Sequence, residues 1–199
     1  MVIIEKLELI DLFFLILCLR ISYIAVSGGI LKEILKILGL LCGSILAFHY
    51  YPFLAIRIED KFLFLSFLKQ KERVFHSISY FLIFVGTLTV LFLLRRIIVP
   101  FFKKEKISIK EKLSSLFAGL LRFVFLASII IFFFYLTSLH PKYYSNSVSY
   151  RVFKNIAPQT YLVFFKFYNK FDSQIKINKE VEEYYETKKF LSGSNKKGK

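Results

Sequence analysis

The sequence is poor in the residues that most catalytic and metal sites require. It has 2 cysteines and 3 histidines among 199 residues. Cys18 and Cys42 cannot form a disulfide framework or a metal site between them, and both lie in apolar stretches, where cysteine is an ordinary small core residue. The histidines show no metal-ligand spacing, and no GxSxG, HExxH, P-loop or paired-carboxylate pattern occurs. We therefore expect no enzyme, no metal site and no cofactor.

Acidic residues are also scarce, with 14 against 29 basic residues and a net charge of +15. Such a balance can indicate nucleic-acid binding, but the basic residues cluster at the ends of apolar runs. Contact with anionic lipids explains that placement directly. A general preference for lysine, isoleucine and phenylalanine accounts for part of the charge. We expect the lipid bilayer to be a partner, with anionic lipids among its components, and nucleic acid not to be one.

Long apolar runs are abundant, and 56% of the residues are hydrophobic. Because about 20 apolar residues form a helix that crosses a bilayer, the chain predicts an all-α integral membrane protein with a four-helix transmembrane domain over residues 1–140. The first span contains Glu8, Asp11 and Arg20, which also argue against a cleaved signal peptide. The predicted spans are about 7–26, 30–53, 77–100 and 113–139.

Turn residues separate these spans and end them. Ser27-Gly28-Gly29 predicts a tight turn, so the first two spans should form an antiparallel hairpin. Pro52 predicts the end of the second span. The connector over 57–76 has a short apolar middle, typical of an interfacial segment.

The last part of the chain predicts a juxtamembrane tail over 141–191 and a disordered tail over 192–199. Within it, about 157–171 form an amphipathic helix with lysines on one face and aromatic residues on the other. We expect the aromatic face to lie on the membrane surface as an anchor; packing on the connector or on a partner protein is the alternative. The candidate anchor residues are Tyr161, Phe164, Phe165, Tyr168 and Phe171.

Small residues follow one face of the second span at a spacing of four, namely Gly39, Gly43 and Ala47. Ser115 and Gly119 repeat the pattern in the fourth span. In lipid, helices associate through close backbone approach, which small residues permit. We expect these five residues to pack helices together, and the alternative is that the stripe lines a passage for a ligand or ion.

Charged residues inside the spans are costly in hydrocarbon. Arg122 lies about two turns inside the fourth span, and it either extends to the headgroups or contacts an acidic residue such as Asp11 or Glu33. Asp11 and Arg20 are nine residues apart, on opposite sides of the first helix, so one of them should face an interface.

The orientation is nearly balanced, because both sides of a four-span chain carry similar numbers of basic loop residues. Arg20, Arg122 and the dense basic loop KKEKISIKEK at 103–112 favour a cytoplasmic location for that loop. We therefore expect both termini outside the cytoplasm.

Three stretches resemble the colicin V production protein family of bacterial multi-pass membrane proteins, over about residues 8–171. The first is Asp11 followed by Gly29-Ile30-Leu31-Lys32-Glu33 and AFHYYPFLA at 47–55; the second is Glu111-Lys112 followed by Gly119-Leu120-Leu121-Arg122. The third is Pro158 before the aromatic helix. The chain departs from the family at Gly28, where arginine is usual, and at Ser115 and Phe123, where glycine is common.

The resemblance implies a multi-pass protein of the bacterial inner membrane, associated with colicin V production or export. We expect a non-enzymatic accessory or scaffold in toxin production and secretion or in envelope maintenance. The alternative is a small oligomeric channel or transporter component, and the partner is either a second copy or another membrane protein. The polar residues that match the family motif are Asp11, Gly29, Lys32, Glu33 and Arg122.

Overall fold

The computed structural model describes residues 8–61, 71–98, 100, 108–137, 147–170 and 177–194. Within these ranges the secondary structure is helical and no strand occurs, which confirms the all-α prediction. The helices are α1 (Leu9–Gly28), α2 (Ile30–Lys61), α3 (Lys71–Ile98), α4 (Ile109–Leu136), α5 (Val148–Phe153), α6 (Ile156–Tyr168) and α7 (Lys179–Ser194).

Helices α1 to α4 pack as an up-down-up-down bundle. Helix α2 lies between α3 and α4, and α1 packs on the other side of α4. Gly39 lies beside Leu91, and Gly43 lies beside Phe84, so α2 and α3 run antiparallel. Helices α2 and α4 run parallel, because their contacts progress in the same direction from Glu33–Arg122 to the ring pair Phe48–Phe132.

Two apolar clusters form the core. The larger one surrounds Phe48 and joins α2, α3 and α4 to α6 and α7. Its rings are in close contact, with 4.6 Å between the centroids of Phe48 and Phe132 and 5.6 Å between those of Phe48 and Tyr161. The smaller cluster joins α1, α4 and α5 around Phe14 and Phe123. The short helices of the C-terminal part are therefore docked at the end of the bundle where α1 begins.

In the part of the chain that the structure describes, three helices are long and apolar enough to cross a membrane, over Leu9–Gly28, Arg73–Ile98 and Ile109–Leu136. These correspond to the first, third and fourth predicted spans, with ends that differ by up to about four residues. Helix α2, the second predicted span, is not among them, so a total of four spans stays a prediction.

Helix α2 continues through Pro52, where the sequence predicts its end. Proline has no N–H to donate, so a proline inside a helix leaves the carbonyl four residues earlier without its usual partner. That carbonyl belongs to Phe48, and the side-chain Nδ2 of Asn178 donates to it at 2.6 Å. A side chain from the segment before α7 thus replaces the missing backbone donor.

The C-terminal part also differs from the predicted boundaries. Helix α6 corresponds to the predicted amphipathic helix, and α5 precedes it. Helix α7 extends to Ser194 and so overlaps the tail predicted to be disordered, of which residues 195–199 lie outside the described residues.

Candidate functional site: a buried charge cluster at the α1–α2 turn

The turn between α1 and α2 brings charged residues from three helices together. Gly29 ends α1 with a φ of 76°, a conformation that glycine adopts without strain. A Cβ at Gly29 would lie 3.0 Å from Oε1 of Glu111 at the start of α4, and one at Gly28 would lie 3.5 Å from Oε1 of Glu33. The turn therefore sits close to two carboxylates, and side chains at either position would crowd them.

Glu33 is the centre of this charge cluster. It lies in the first turn of α2 and is completely buried. Nη1 of Arg122 lies 2.7 Å from its Oε2, although this contact is an ion pair without aligned hydrogen-bond geometry. Nζ of Lys36, one turn along α2, donates to Oε1. One carboxylate thus holds two cations and joins α2 to α4.

Arg122 is buried with only 8% of its surface exposed. Of the two acidic partners that the sequence leaves open, the structure selects Glu33. A buried ion pair requires close contact to offset the desolvation of both charges, and here both oxygens of the carboxylate are occupied by cations. Arg95, near the end of α3, is close enough for its charge to act on both Lys36 and Arg122.

Two further candidate residues lie near the same end of the bundle. Lys32 is half-buried on α2 and forms no ion pair within the described residues. Ser115 on α4 is completely buried, and its hydroxyl has no hydrogen-bond partner there. Ser115 and Arg122 are seven residues apart and share one face of α4.

Asp11 lies at the opposite end of the bundle from Glu33 and does not contact Arg122. Its Oδ1 accepts hydrogen bonds from the hydroxyl of Ser147 at 3.0 Å and the backbone N–H of Ser149 at 2.8 Å. Its Oδ2 accepts from the N–H of Val148 at 3.3 Å and from that of Glu8 at 3.2 Å. Asp11 therefore joins α1 to the start of α5. Of Asp11 and Arg20, it is Asp11 that faces a helix interface.

Arg20 takes the opposite face, as the nine-residue spacing predicts. It is exposed on the outside of α1 and forms no ion pair within the part of the chain that the structure describes. Asp11 of α1 thus lies inside the bundle, and Arg20 lies on its outside.

The small residues lie at contacts between helices, and the space around them differs from one residue to another. Gly39, Gly43 and Ala47 are buried on α2. A Cβ at Gly39 would make ordinary contacts of 3.9 to 4.0 Å with α3, and one at Gly43 would come within 3.4 Å of the Phe84 ring. Gly119 is tighter, because a Cβ there would lie 2.4 Å from the Cβ of Ala25 on α1. The closest approach of backbones is thus between α1 and α4.

The predicted anchor residues divide between the core and the surface. Tyr161 and Phe165 are buried against α2, where the ring of Phe165 stacks on His49 with 4.6 Å between centroids. Phe164 and Tyr168 are 44% and 38% exposed, so these two of the described anchor candidates face outward. Phe171 lies outside the described residues. Tyr161 and Phe165 therefore attach α6 to α2 and α4, whereas the alternative drawn from the sequence named the connector or a partner protein.

Sequence reasoning did not identify several polar residues that hold the C-terminal helices. Oγ of Ser128 accepts from the N–H of Ala157 at 2.8 Å, and the hydroxyl of Tyr51 donates to Oε2 of Glu180 at 2.7 Å. Nδ1 of His76 lies 3.4 Å from the same oxygen. These pairs are far apart in the chain, so no spacing pattern indicates them.

Tyr161 is another such link, because its hydroxyl accepts from the N–H of Asn178 at 3.0 Å. Burial raises the pKa of Tyr161 to about 12, so the hydroxyl stays protonated at neutral pH. His49 Nδ1 lies 3.3 Å from it. His49 and His76, which the sequence leaves unassigned, thus take part in docking the C-terminal helices.

Within the described residues, no group of three or more His, Cys, Asp or Glu side chains is placed to hold a metal ion. The charge cluster combines one carboxylate with three cations, so it is suited to anions and to helix association.

Comparisons with known proteins place this bundle in a family. A family model described as Colicin V production protein matches residues 10–158. The matched region extends from the second residue of α1 to the first turn of α6 and includes Asp11, Glu33 and Arg122. The comparison with curated proteins and the comparison with solved structures give no match. The family match covers about three quarters of the chain, and it agrees with the resemblance seen in the motifs; the chain belongs to the colicin V production protein family.

Proposed function

We propose that this chain is a multi-pass protein of the bacterial inner membrane with four spans, and that it acts as a non-enzymatic accessory or scaffold. Its role would be in the production or secretion of a colicin V-type toxin or, more broadly, in envelope maintenance. Family membership supports the association with colicin V production, and the arrangement of charged and apolar side chains supports the scaffold.

Helix α2, which contains the second predicted span, is proposed to cross the membrane as well because of its position. It packs between α3 and α4, both of which are apolar and long enough to cross a membrane, and it must share their depth. At 1.5 Å per residue, the part from Ile30 to Tyr50 is about 30 Å long, which equals the thickness of a hydrocarbon core. The charge cluster then lies near one headgroup layer, and α6 lies near the other.

One observation carries the scaffold proposal. Buried charged side chains are used to join helices: Asp11 binds α5, and Glu33 pairs with Arg122 across α2 and α4. These charged side chains, which would be costly in lipid, therefore hold the bundle together.

The outward surfaces of α1 and α3 are, in contrast, almost entirely apolar. Their exposed side chains include Leu12, Phe13, Leu15, Ile16 and Leu19 on α1, and Phe81, Leu82, Val90, Phe92 and Leu93 on α3. Such faces can contact lipid, another copy of the chain or the helices of another membrane protein, which is what an accessory protein needs.

Photo-crosslinking in living cells tests this proposal. A photoreactive amino acid is placed at Ile16 on α1 or at Leu93 on α3, which are 58% and 53% exposed. The matched control is Phe14, which is 2% exposed and lies two residues before Ile16 on α1. We expect a protein adduct of defined mass from an outward position and none from Phe14, and the mass distinguishes a second copy from another protein. Lipid adducts alone from both outward positions would contradict the scaffold.

A small channel or transporter component is the second candidate. It is favoured by the convergence of Lys36, Arg95 and Arg122 at one end of the bundle. Flux of ions or solutes through liposomes that contain the purified protein tests it. Gly39→Leu and Gly43→Leu should alter the flux, whereas Gly86→Leu, where no atom lies within 4 Å of a Cβ, should not. Flux equal to that of empty vesicles, over a range of gradients and tensions, would contradict a channel.

A further inference from the structure

The charge cluster has more positive charge than its own carboxylate can neutralise. Leu91 of α3 lies 3.9 Å from a Cβ at Gly39 of α2, so Arg95, one turn after Leu91 on the antiparallel helix, lies beside the turn of α2 that holds Glu33 and Lys36. The charge of Arg95 acts there on Lys36 and on Arg122 of α4. Glu33 is the only carboxylate that pairs with them among the described residues, and its two oxygens are taken by Lys36 and Arg122. Taken together, Lys36, Arg95, Arg122 and Glu33 carry an excess of two positive charges.

Arg95 is the cation without a partner. It forms no ion pair and no side-chain hydrogen bond among the described residues, and its charge opposes those of Lys36 and Arg122. Like charges repel strongly where the surroundings are poorly solvated. Arginines in such places are usually paired with an anion.

The cluster is closed at its base and accessible at its mouth. Glu33 has no exposed surface, and the side chain of Arg122 is 10% exposed. The side chain of Lys36 is 20% exposed, and Arg95 is also partly exposed. An anion can therefore reach Lys36 and Arg95 without displacing Arg122 from Glu33.

The surroundings of the mouth are apolar. Phe92 and Ile98 lie three residues before and after Arg95 on α3, and they are 61% and 41% exposed; residues three apart on a helix are neighbours on its surface. A phosphate with attached acyl chains can place its charge on the cations and its chains along these side chains. A soluble phosphate would gain nothing from that apolar surface.

We propose that Lys36 and Arg95 form the mouth of a specific binding site for a phosphate anion, supplied by the headgroup of an anionic phospholipid, with Arg122 held behind them by Glu33. Arg95 belongs to α3, but the test of this site does not depend on finding a protein partner. The guanidinium of Arg95 and the ammonium of Lys36 would donate hydrogen bonds to the phosphate oxygens.

The test uses the full-length protein in nanodiscs or detergent with phosphatidylglycerol or phosphatidylcholine as the probe. Native mass spectrometry counts the lipids that are retained, and a titration gives the apparent affinity. We expect preferential retention of phosphatidylglycerol, and about a tenfold or greater loss of its affinity in Arg95→Gln, since one charge-assisted contact is removed. Arg96→Gln is the matched control, because Arg96 is the exposed neighbour on α3 and its loss changes the net charge equally.

Three results would overturn the proposal. Equal losses in Arg95→Gln and Arg96→Gln would mean that the lipid responds to the overall charge alone. No preference for phosphatidylglycerol over phosphatidylcholine in the unmodified protein would mean that no site exists. Inorganic phosphate that displaces phosphatidylglycerol at millimolar concentration would assign the site to a soluble phosphate and would contradict the lipid headgroup as its source.

Stability distinguishes a binding role for Arg95 from a structural one. In phosphatidylcholine alone, Arg95→Gln should unfold at an equal or higher temperature than the unmodified protein, because a repulsion is removed. Added phosphatidylglycerol should stabilise the unmodified protein more than the variant. A lower unfolding temperature of the variant without anionic lipid would show that Arg95 holds the fold and would contradict the proposal.

Discussion

At the scale of single residues, the most demanding position is Gly119. The bundle brings α1 so close to α4 that a Cβ at Gly119 would lie 2.4 Å from the Cβ of Ala25. Both atoms are fixed by their backbones, so no rotation of a side chain can relieve the contact.

We predict that Gly119→Ala destabilises the bundle by about 1–3 kcal/mol, the usual cost of overpacking. The measurement is thermal unfolding of the purified protein in detergent. Gly86→Ala is the control, because nothing lies within 4 Å of a Cβ at that position and alanine favours the helix by about 1 kcal/mol. Equal unfolding temperatures for the two variants would show that α1 and α4 are not in close contact.

The sequence could predict which kinds of residue pack helices, but not which of them is tightest. The regular spacing of Gly39 and Gly43 indicates one face of α2, and both residues are buried there. The tightest contact is nevertheless at Gly119, because it depends on the distance between two helix axes. That distance is set by the facing residue, Ala25, which lies 94 positions earlier in the chain.

At the scale of elements, the pair Glu33–Arg122 joins α2 to α4. Removal of one member leaves a buried charge without its partner, which costs about 3–5 kcal/mol in folding free energy. Removal of both leaves neither charge and should cost less.

We predict that Glu33→Gln and Arg122→Gln each destabilise strongly, and that the double variant is more stable than the sum of the two losses predicts. The free energies come from unfolding in detergent or in a mixed micelle. Asp11→Asn combined with Arg122→Gln serves as the control, because Asp11 and Arg122 do not touch and their effects should add. Additive losses in the Glu33–Arg122 cycle would contradict the pairing.

The docking of α7 depends on an ionised group. Glu180 is partly exposed; burial opposes its ionisation, but contacts with His76 and Tyr51 outweigh this and hold the pKa of Glu180 below its usual range. A carboxyl with a lowered pKa in the folded state adds stability above its unfolded pKa of about 4.3, and this stability is lost as the pH falls through the folded value. Arg73, Tyr135 and Glu183 line the same cleft.

We predict that α7 becomes more accessible as the pH falls below about 4.5, while the bundle core stays protected. Hydrogen exchange of α7 at pH 7 and pH 4, corrected for the intrinsic exchange rate, measures this. Glu180→Gln should exchange faster at pH 7 and show a smaller change with pH. A pH response that is the same in Glu180→Gln as in the unmodified protein would locate the titrating group elsewhere.

The sequence could indicate α6 but not what its aromatic face contacts. Tyr161 and Phe165 share a face with Phe164 and Tyr168 on a helical projection, and hydrophobicity alone does not distinguish lipid from protein as the neighbour. Phe48 and His49 of α2 provide the protein surface, and they are more than 110 positions away. The continuation of α2 past Pro52 also depends on a residue far away in the chain, because Asn178 donates to the carbonyl of Phe48 that Pro52 leaves without a backbone partner.

At the scale of the whole molecule, the bundle has one basic end. Lys32, Lys36, Arg95 and Arg122 lie at the end where α2 begins and α3 ends, and the basic loop at 103–112 follows α3 in the chain. Because basic residues are retained in the cytoplasm, this end should be cytoplasmic, and both termini should lie outside.

We predict that an alkaline phosphatase reporter at the C-terminus is active and that a reporter fluorescent only in the cytoplasm is dark there. The same pair of reporters inserted within 103–112 should give the opposite results. Replacement of the lysines in that loop by glutamine should weaken the preference. A fluorescent C-terminus with an active phosphatase in the loop would invert the proposed orientation.

Most of the architecture at this scale could be predicted, since apolar runs and turn residues indicate the bundle helices and the family motif identifies the family. The short connection Gly28-Gly29 predicts that α1 and α2 pack as a hairpin, but α1 packs mainly on α4. The packing of α1 on α4 and the fold of α5 to α7 could not be predicted, because they depend on contacts between the two ends of the chain. Ser147, Ser128 and Glu180 are ordinary polar residues in the sequence and become informative only through those contacts.

The hydrogen bonds of Asp11 also impose an order of events on synthesis. Asp11 enters the membrane with the first helix, but Ser147 and Ser149 are 136 and 138 residues later in the chain. At roughly 5–20 residues per second, these partners are made on the order of 10–30 seconds afterwards. During that interval the carboxylate must stay near water or near another protein's donors. The first helix is therefore made early, but its hydrogen bonds to α5 form late. A chain truncated before residue 147 should leave its N-terminal helix accessible to the insertion machinery or to quality-control proteases.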